Sequence, residues 1–242
     1  MPRTSFVRAA GRFAVCALLF AFLHGCSKKN EKQSASPPAG NAPAPGIAPA
    51  AAPSALAGGD FSTRTDKLKF RNAVGKTLFS IKLKDDGAKL IDGDEKELAR
   101  LKNEKREDGP EIKIKSSDEK VLGTLGGPPG KWKLKDADKT LLFSIRHEAD
   151  DSYKIEDADG ALVYRLKPRE GGADVEDAMK ATLFKVTAAA QEVTVRNATN
   201  KVILVAPARV APMAAACLVL DRLTPPQRAA LFLLVDPPKA GK

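Results

Sequence analysis

Acidic residues in short polar stretches are the first candidates in this sequence for metal binding or acid–base catalysis. Asp136 and Asp138 form one pair, and the run 157–160, Asp-Ala-Asp-Gly, matches the start of a calcium loop. A calcium loop needs further oxygen ligands and a late bidentate acid, but an alternating strand pattern already begins at Leu162. Acid–base catalysis needs a partner group, and none accompanies Asp136. We therefore expect these acids to form turns, with no metal, no cofactor and no catalytic role.

Cysteine and histidine are the other candidates for nucleophilic or metal chemistry. Cys217 lies in an apolar run, where a thiol is normally buried and inert, and no histidine is near it in sequence. The chain has no Cys/His metal spacing, no Gly-rich phosphate loop and no recognisable Ser/His/Asp arrangement. This pattern predicts a protein that is not an enzyme.

Lysines at alternate positions of predicted strands could bind anions. The candidates are Lys67, Lys69, Lys113, Lys115, Lys133 and Lys135. A lysine stripe of this kind is usually a solvated sheet face, and it can also bind anionic phospholipid headgroups. Both interpretations stay open. We expect no nucleic-acid partner, because few exposed aromatic residues are expected and because of the compartment that the N-terminus predicts.

The first 25 residues have the pattern of a signal peptide. Three arginines precede the apolar run Phe13–Leu23, whose 11 residues are too few for a membrane span of ~20 residues. The run ends in Leu-His-Gly-Cys at residues 23–26, which resembles the lipobox of bacterial lipoproteins, although His24 departs from the small or hydroxyl residue usual there. The resemblance implies that Cys26 carries lipid, palmitate included, and anchors the chain to a membrane. An ordinary signal peptide with an incidental cysteine is the alternative.

Removal of residues 1–25 would change both the cysteine count and the charge. Cys16 would leave with the signal, so that Cys217 would have no disulfide partner within the mature chain. Three arginines and no acid would leave as well, which lowers the formal net charge from +10 to +7 and still favours anionic partners. Ser27 after the lipidated cysteine implies, by the known sorting rule, the outer membrane of a Gram-negative cell envelope.

Residues 26–60 are predicted to be a disordered tether, because they are rich in Pro, Ala, Gly and Ser and have little to bury. Its flexible-chain span is roughly 30–35 Å. Residues 61–238 are then a single domain by size.

Two alternating runs around a polar turn recur along this domain, and a period of two is typical of strands with one buried face. The clearest copies are Leu68–Lys82, Ile112–Leu125, Trp132–Arg146 and Tyr153–Lys167, with weaker copies at Lys89–Lys102 and Val193–Val205. The turn at 157–160 provides the positive φ that a tight hairpin needs. The pattern predicts six β-hairpins, about twelve strands, and leaves Val175–Val186 open as a strand or a short helix.

The apolar run Val210–Leu223 predicts a buried helix, because its centre, Met213–Leu220, has no polar residue on any side. Twelve strands ~4.8 Å apart and tilted ~40° would close at a radius of roughly 12 Å, enough for one helix ~10–12 Å across. Residues 224–227, Thr-Pro-Pro-Gln, have the pattern of a capped helix start and predict a second short helix over 228–235 at one barrel opening. The expected fold is mainly β, an antiparallel barrel around a C-terminal helix. Its inward residues are Phe70, Ile81, Ile114, Leu134, Phe143, Ile145, Ile155 and Leu166.

Six hairpins followed by an apolar helix with Ala-Cys-Leu-Val-Leu-Asp at 216–221 resemble the Tubby C-terminal-like superfamily. That superfamily includes Tubby domains, LURP-one-related proteins and phospholipid scramblases, and the hairpins near 135–138 and 156–165 are most similar to LURP-one-related sequences. Over residues 61–236 the resemblance implies a closed barrel around a central helix. In some members it implies phosphoinositide binding or movement of phospholipids, but no headgroup-binding motif of Tubby matches here residue by residue.

Two functions follow as expectations. The first is a non-enzymatic, membrane-anchored lipoprotein that acts as a binding or structural module of the cell envelope. The second is a protein that binds or moves phospholipid. The expected partners are the membrane, through the N-terminal lipid, and anionic headgroups; the sequence identifies no protein partner.

Overall fold

The computed structural model describes residues 67–107 and 109–236, which belong to the compact unit Ala51–Lys242. The predicted signal peptide, Cys26 and the tether 26–60 lie outside the described residues. So do the outermost residues of the predicted domain, 61–66 and 237–238.

Fourteen antiparallel strands follow one another around a closed barrel, and β1 pairs with β14 to close it. The strands are β1 Lys67–Arg71, β2 Thr77–Lys84, β3 Gly87–Asp92, β4 Glu97–Arg106, β5 Gly109–Ser116, β6 Val121–Gly126, β7 Lys131–Asp136, β8 Leu141–His147, β9 Tyr153–Asp157, β10 Leu162–Arg169, β11 Gly172–Glu176, β12 Thr182–Ala188, β13 Glu192–Asn197 and β14 Val202–Pro207. The predicted antiparallel barrel is confirmed, but twelve strands was too few. The segment left open, Val175–Val186, belongs to a seventh hairpin, β11–β12.

The turns within the seven repeated hairpins, from β1–β2 to β13–β14, all lie at the same end of the barrel, which we call the turn opening, because consecutive strands run in opposite directions. Each turn begins with Asn, Asp or Ser, and its fourth residue has a positive φ, from 62° at Asn200 to 81° at Gly160. At residues 157–160 the Asp157 Oδ1 accepts hydrogen bonds from the backbone N–H groups of Asp159, at 3.1 Å, and Ala161, at 2.9 Å. This carboxylate therefore closes the turn, as the turn interpretation expected.

A β-bulge follows every turn, at the third residue after the one with positive φ. A bulge adds one residue to one strand and increases the local twist. The seven added residues are all aliphatic, and we call them the bulge ring. They are Leu78, Leu98, Leu122, Leu142, Val163, Leu183 and Ile203.

Two helices follow the barrel strands: α1 Pro212–Cys217 and α2 Pro225–Val235. The predicted helix over 210–223 was too long, because the chain leaves the helix after Cys217 and turns through Leu218–Leu223. The predicted capped start of the second helix is confirmed, since the Thr224 N–H donates to Gln227 Oε1 at 2.9 Å.

Both helices lie inside the barrel, and they contact each other. α1 packs against β10–β13 and α2 against β4–β6, while Phe232 of α2 meets Phe70 of β1 edge to face at 5.9 Å. The expectation that the second helix sits at an opening was therefore wrong. The physical reason is the larger strand number, which widens the barrel radius to roughly 14 Å and leaves an interior that one helix would not fill.

The predicted inward residues form the core. Seven of the eight are fully buried, and Phe143 is half-buried against the same cluster. α1 starts at the opening opposite the turn opening, and α2 returns to it. There the Ala211 N–H donates to Asp236 Oδ2 at 3.4 Å. In the described part of the chain, neither helix is long and apolar enough to cross a membrane.

Candidate functional site

The six predicted lysines lie on the outer wall of the barrel, and carboxylates neutralise three of them. Lys67 is paired with Glu95, Lys113 Nζ lies 2.8 Å from a Glu104 oxygen, and Lys115 Nζ lies 3.0 Å from Glu119. The hydrogen bond from Lys113 lowers the pKa of Glu104 below its ordinary value. These three lysines therefore have little free charge to offer an anionic partner.

Lys133 and Lys135 differ from those three, and Lys131 joins them on the same outer face of β7. Within the described residues, none of these three ammonium groups has a carboxylate within 4 Å. We call Lys131, Lys133 and Lys135 the β7 strip. The residues opposite them on β6 and β8 are Thr124, Gly126, Leu141, Ser144 and Arg146. No acid therefore faces the strip from either neighbouring strand.

The carboxylates of Glu111 on β5 and Glu156 on β9, two strands away, have other partners. Glu111 lies 2.6 Å from Arg106, and Glu156 is paired with Arg146. Lys69 also has no described carboxylate within 4 Å, and its groove includes one acid, Glu192, as the groove beside the β7 strip includes Glu111. The β7 strip is therefore where predicted lysines without a carboxylate within 4 Å lie next to each other on one strand.

Glycines open the wall beside the β7 strip. A groove of about 490 Å³ runs past Lys131, Lys133 and Lys135 over Gly126 and Gly127. A Cβ at Gly127, where φ is +141°, would lie 2.6 Å from the backbone oxygen of Lys131. A side chain cannot be accommodated at this position, so residue 127 adds none to the groove. Arg106 and Glu111 line the groove as well.

An apolar cleft of about 190 Å³ is present at the turn opening. It is lined by Leu78, Phe79, Leu90, Leu98, Leu218, Pro225 and Arg228. Among the described residues, the exposed large apolar side chains all lie at this end: Val74, Leu78, Leu98, Val121, Leu122 and Met179. Leu78, Leu98 and Leu122 belong to the bulge ring, and Val121 precedes Leu122 on β6. The apolar surface is therefore concentrated on the first three hairpins, around the cleft.

A polar cluster holds the loop between the helices at the turn opening. The Tyr164 hydroxyl of β10 donates to Asp221 and accepts a hydrogen bond from the Arg222 N–H at 3.1 Å. Burial, and then the bond to Asp221, raise the pKa of Tyr164 to about 12. Arg228 Nε donates to the Leu223 oxygen at 2.8 Å, and burial lowers the pKa of this guanidinium.

Cys217 is fully buried on α1, and its Sγ donates to the Met213 oxygen at 3.3 Å. Burial raises the pKa of the thiol, so that it stays protonated and is a poor nucleophile. Over residues 67–107 and 109–236, no group of three or more His, Cys, Asp and Glu side chains could hold a metal ion.

Sequence reasoning missed the cleft, Arg228 and Lys131. A signal for the cleft was present in the sequence: each fourth turn residue is followed, three positions later, by an aliphatic residue. Lys131 could have been found from its alternation with Lys133 and Lys135. Nothing local in the sequence indicated that the neighbours of β7 contribute no acid.

The geometry defines a closed antiparallel barrel filled by a helical hairpin, with a basic strip on its wall and an apolar cleft at one opening. No protein-family model and no curated protein matches the chain. Its structure is similar to the X-ray structure of a protein from Arabidopsis thaliana. The identity is 13%, the match covers 65% of this chain and 91% of the other, and the TM-score is 0.37. This weak likeness concerns the fold and no more.

Proposed function

We propose that this protein is a non-enzymatic lipoprotein of the cell envelope whose β7 strip binds anionic phospholipid headgroups. One observation carries the headgroup part of the proposal. The ammonium groups of the β7 strip have no described carboxylate within 4 Å, whereas three of the other predicted lysines are paired.

The spacing of the strip suits a charged surface better than a single small ligand. Alternate residues on a strand are ~6.5 Å apart, so three ammonium groups form a row ~13 Å long on an outer wall. A lysine near an anionic membrane surface contributes about 1 kcal/mol. Three of them support weak, salt-sensitive binding, which a lipid anchor on the same chain would strengthen by raising the local concentration.

The anchor in this proposal is Cys26, and the proposed location is the outer membrane of a Gram-negative cell. Fractionation of cells that express Cys26→Ser tests it. The expected result is loss of the protein from the membrane fraction, whereas a variant that stays there would count against lipidation.

Movement of phospholipid is the second candidate, and we place it below headgroup binding. In the described part of the chain, apolar side chains from both helices and from the strands of the wall fill the interior of the barrel. A passage for a headgroup through the barrel would need this packing to open.

Vesicle co-sedimentation tests headgroup binding. The chain from Ser27 onward, without lipid, is mixed with phosphatidylcholine vesicles that contain or lack phosphatidylglycerol, over a salt series. We expect binding to the anionic vesicles only, and we expect it to weaken as salt screens the charges.

The controls compare two triple variants with equal loss of charge. Replacement of Lys131, Lys133 and Lys135 by Gln should abolish binding, because the strip is removed. Replacement of the paired Lys67, Lys113 and Lys115 by Gln should leave most of it. Equal loss in both triples would mean that only net charge matters, and the proposed strip would be wrong.

A further inference from the structure

The bulge ring is the basis of an inference that is independent of the β7 strip. The hairpin repeat places an equivalent aliphatic side chain at each of seven positions. Four of them, on hairpins four to seven, are half-buried or buried. The other three, Leu78, Leu98 and Leu122, are 40%, 37% and 42% exposed. The fold therefore covers one side of the ring and leaves the other uncovered.

The uncovered side adjoins the apolar cleft. Leu78 and Leu98 form its rim, and Leu218 and Pro225, which flank the turn between the helices, line it. An apolar cavity of ~150 Å³ can hold a benzene ring, so that about 190 Å³ accommodates roughly six to eight carbon atoms. The rim leucines extend the apolar surface beyond the cavity.

One cationic group lines this otherwise apolar cleft. Arg228 uses Nε to bind the Leu223 oxygen, and the described residues provide no hydrogen bond or carboxylate within 4 Å for its two terminal nitrogens. Asp221, the acid whose charge acts on Arg228, is engaged by Tyr164. A guanidinium whose two terminal nitrogens are free to donate can bind a carboxylate in a bidentate geometry.

We propose that the cleft binds a medium-chain carboxylate, an unbranched acid of about eight to ten carbons whose chain fills the cavity and continues over the rim leucines Leu78 and Leu98. The chain fills the space between Leu78, Leu98 and Leu218, and the carboxylate is held by the terminal nitrogens of Arg228. The occupant is a free single-chain acid because the cavity is too small for the two chains of a phospholipid.

Binding is measured on the full chain reconstituted in phosphatidylcholine vesicles, with radiolabelled decanoate and with a decanoate that carries a terminal diazirine. Protein-free vesicles give the background of simple partitioning. We expect saturable binding of about one decanoate per chain, and crosslinks at Leu78, Leu98 or Leu218. Only non-saturable uptake, or crosslinks scattered over the barrel wall, would overturn the proposal.

Two pairs of variants distinguish recognition of the carboxylate of decanoate from recognition of its hydrocarbon chain. Arg228→Gln should weaken decanoate binding about tenfold, because a charge-assisted hydrogen bond is lost, and should leave decanol binding unchanged. Arg228→Lys should keep the preference for the acid. Leu98→Gln should weaken both ligands, whereas Val74→Gln, at the exposed tip of the first hairpin, should weaken neither.

Each outcome of these variants decides the proposal. Unchanged decanoate affinity in Arg228→Gln would overturn the role of the guanidinium, and circular dichroism shows whether that variant is folded. If Arg228→Gln does not fold, the Leu98→Gln and Val74→Gln variants decide instead. Equal decanoate affinity in these two variants would overturn the assignment of the binding site to the cleft. Gln replacements at the β7 strip should leave decanoate binding unchanged, so that failure of either proposal is distinguishable from failure of the other.

Discussion

At the scale of single residues, Tyr164 and Asp221 determine where the two helices turn. The phenol hydroxyl donates to the Asp221 carboxylate and accepts from the backbone of Arg222, although the partners are 57 and 58 residues apart in the chain. Tyr164 itself is 2% exposed. Because a buried polar group is costly unless it is hydrogen-bonded, this pair ties the helical hairpin to β10.

The two tyrosines of the chain allow a direct test at this scale. The pKa values of Tyr153 and Tyr164 are each raised to about 12, mainly by burial, against ~10 in an unfolded chain. A folded pKa above the unfolded value stabilises the protein fully below pH ~10, and that stability is lost as the pH rises toward 12. Absorbance of tyrosinate at alkaline pH should therefore appear near pH 12 in the folded protein and near pH 10 in urea. Tyr164→Phe should halve the signal, and a folded-state transition near pH 10 would contradict the burial of the phenols.

At the scale of elements, the repeated unit is a hairpin with a fixed turn and a fixed bulge. The turn uses a side-chain oxygen at its first residue and a positive φ at its fourth. Only two of the seven fourth positions are glycine, Gly75 and Gly160, and the rest carry side chains. A positive φ costs a residue other than Gly, Asn or Asp about 1–2 kcal/mol, so four of these turns, at Glu95, Glu119, Lys139 and Lys180, are strained.

Lys139→Gly should relieve one of them. Removal of the strain outweighs the entropy that glycine loses on folding, about 0.5–1 kcal/mol, and we expect a net gain of about 0.5 kcal/mol or more, read as a higher thermal midpoint. Thr140→Gly is the matched control, because the next residue in the same hairpin has no positive φ. It should lower the midpoint. Lower stability in both variants would mean that the turn at Lys139 is not strained.

At the scale of the whole molecule, the barrel is stable because the helical hairpin fills it. Residues of α1 and α2 account for nine of the fully or almost fully buried side chains of the core, from Ala214 to Leu233. A closed barrel has no exposed sheet edge, but one of this width would enclose an empty apolar space without the helices. Strands and helices are therefore expected to unfold together.

Ala215→Asp tests this dependence, because Ala215 is 0% exposed at the centre of α1. An unpaired carboxylate there has no water and no partner, and the cost of several kcal/mol should unfold the barrel as one unit. Ala178→Asp, the same change at an exposed turn, should leave the thermal midpoint within about 2 °C of the original, since surface changes are small. Unchanged stability in Ala215→Asp would mean that α1 does not fill the barrel.

The sequence by itself determined the repeated hairpins, the antiparallel barrel and the buried C-terminal helix, because alternation and turn chemistry are local properties of the chain, whereas closure of the barrel through β1 and β14 came from the structure. It left Val175–Val186, which contains the turn of hairpin β11–β12, open as a strand or a short helix, and the third residue of that turn, Met179, is apolar where five of the other six turns have a polar residue. It placed a single helix over 210–223 because an apolar run does not say where a chain reverses. Only the tertiary structure decided that both helices fill the interior. Likewise, only strand register shows which lysines meet a carboxylate, and only packing brings Arg228, Leu98 and Leu218 to one cleft, since each of these contacts joins residues far apart in sequence.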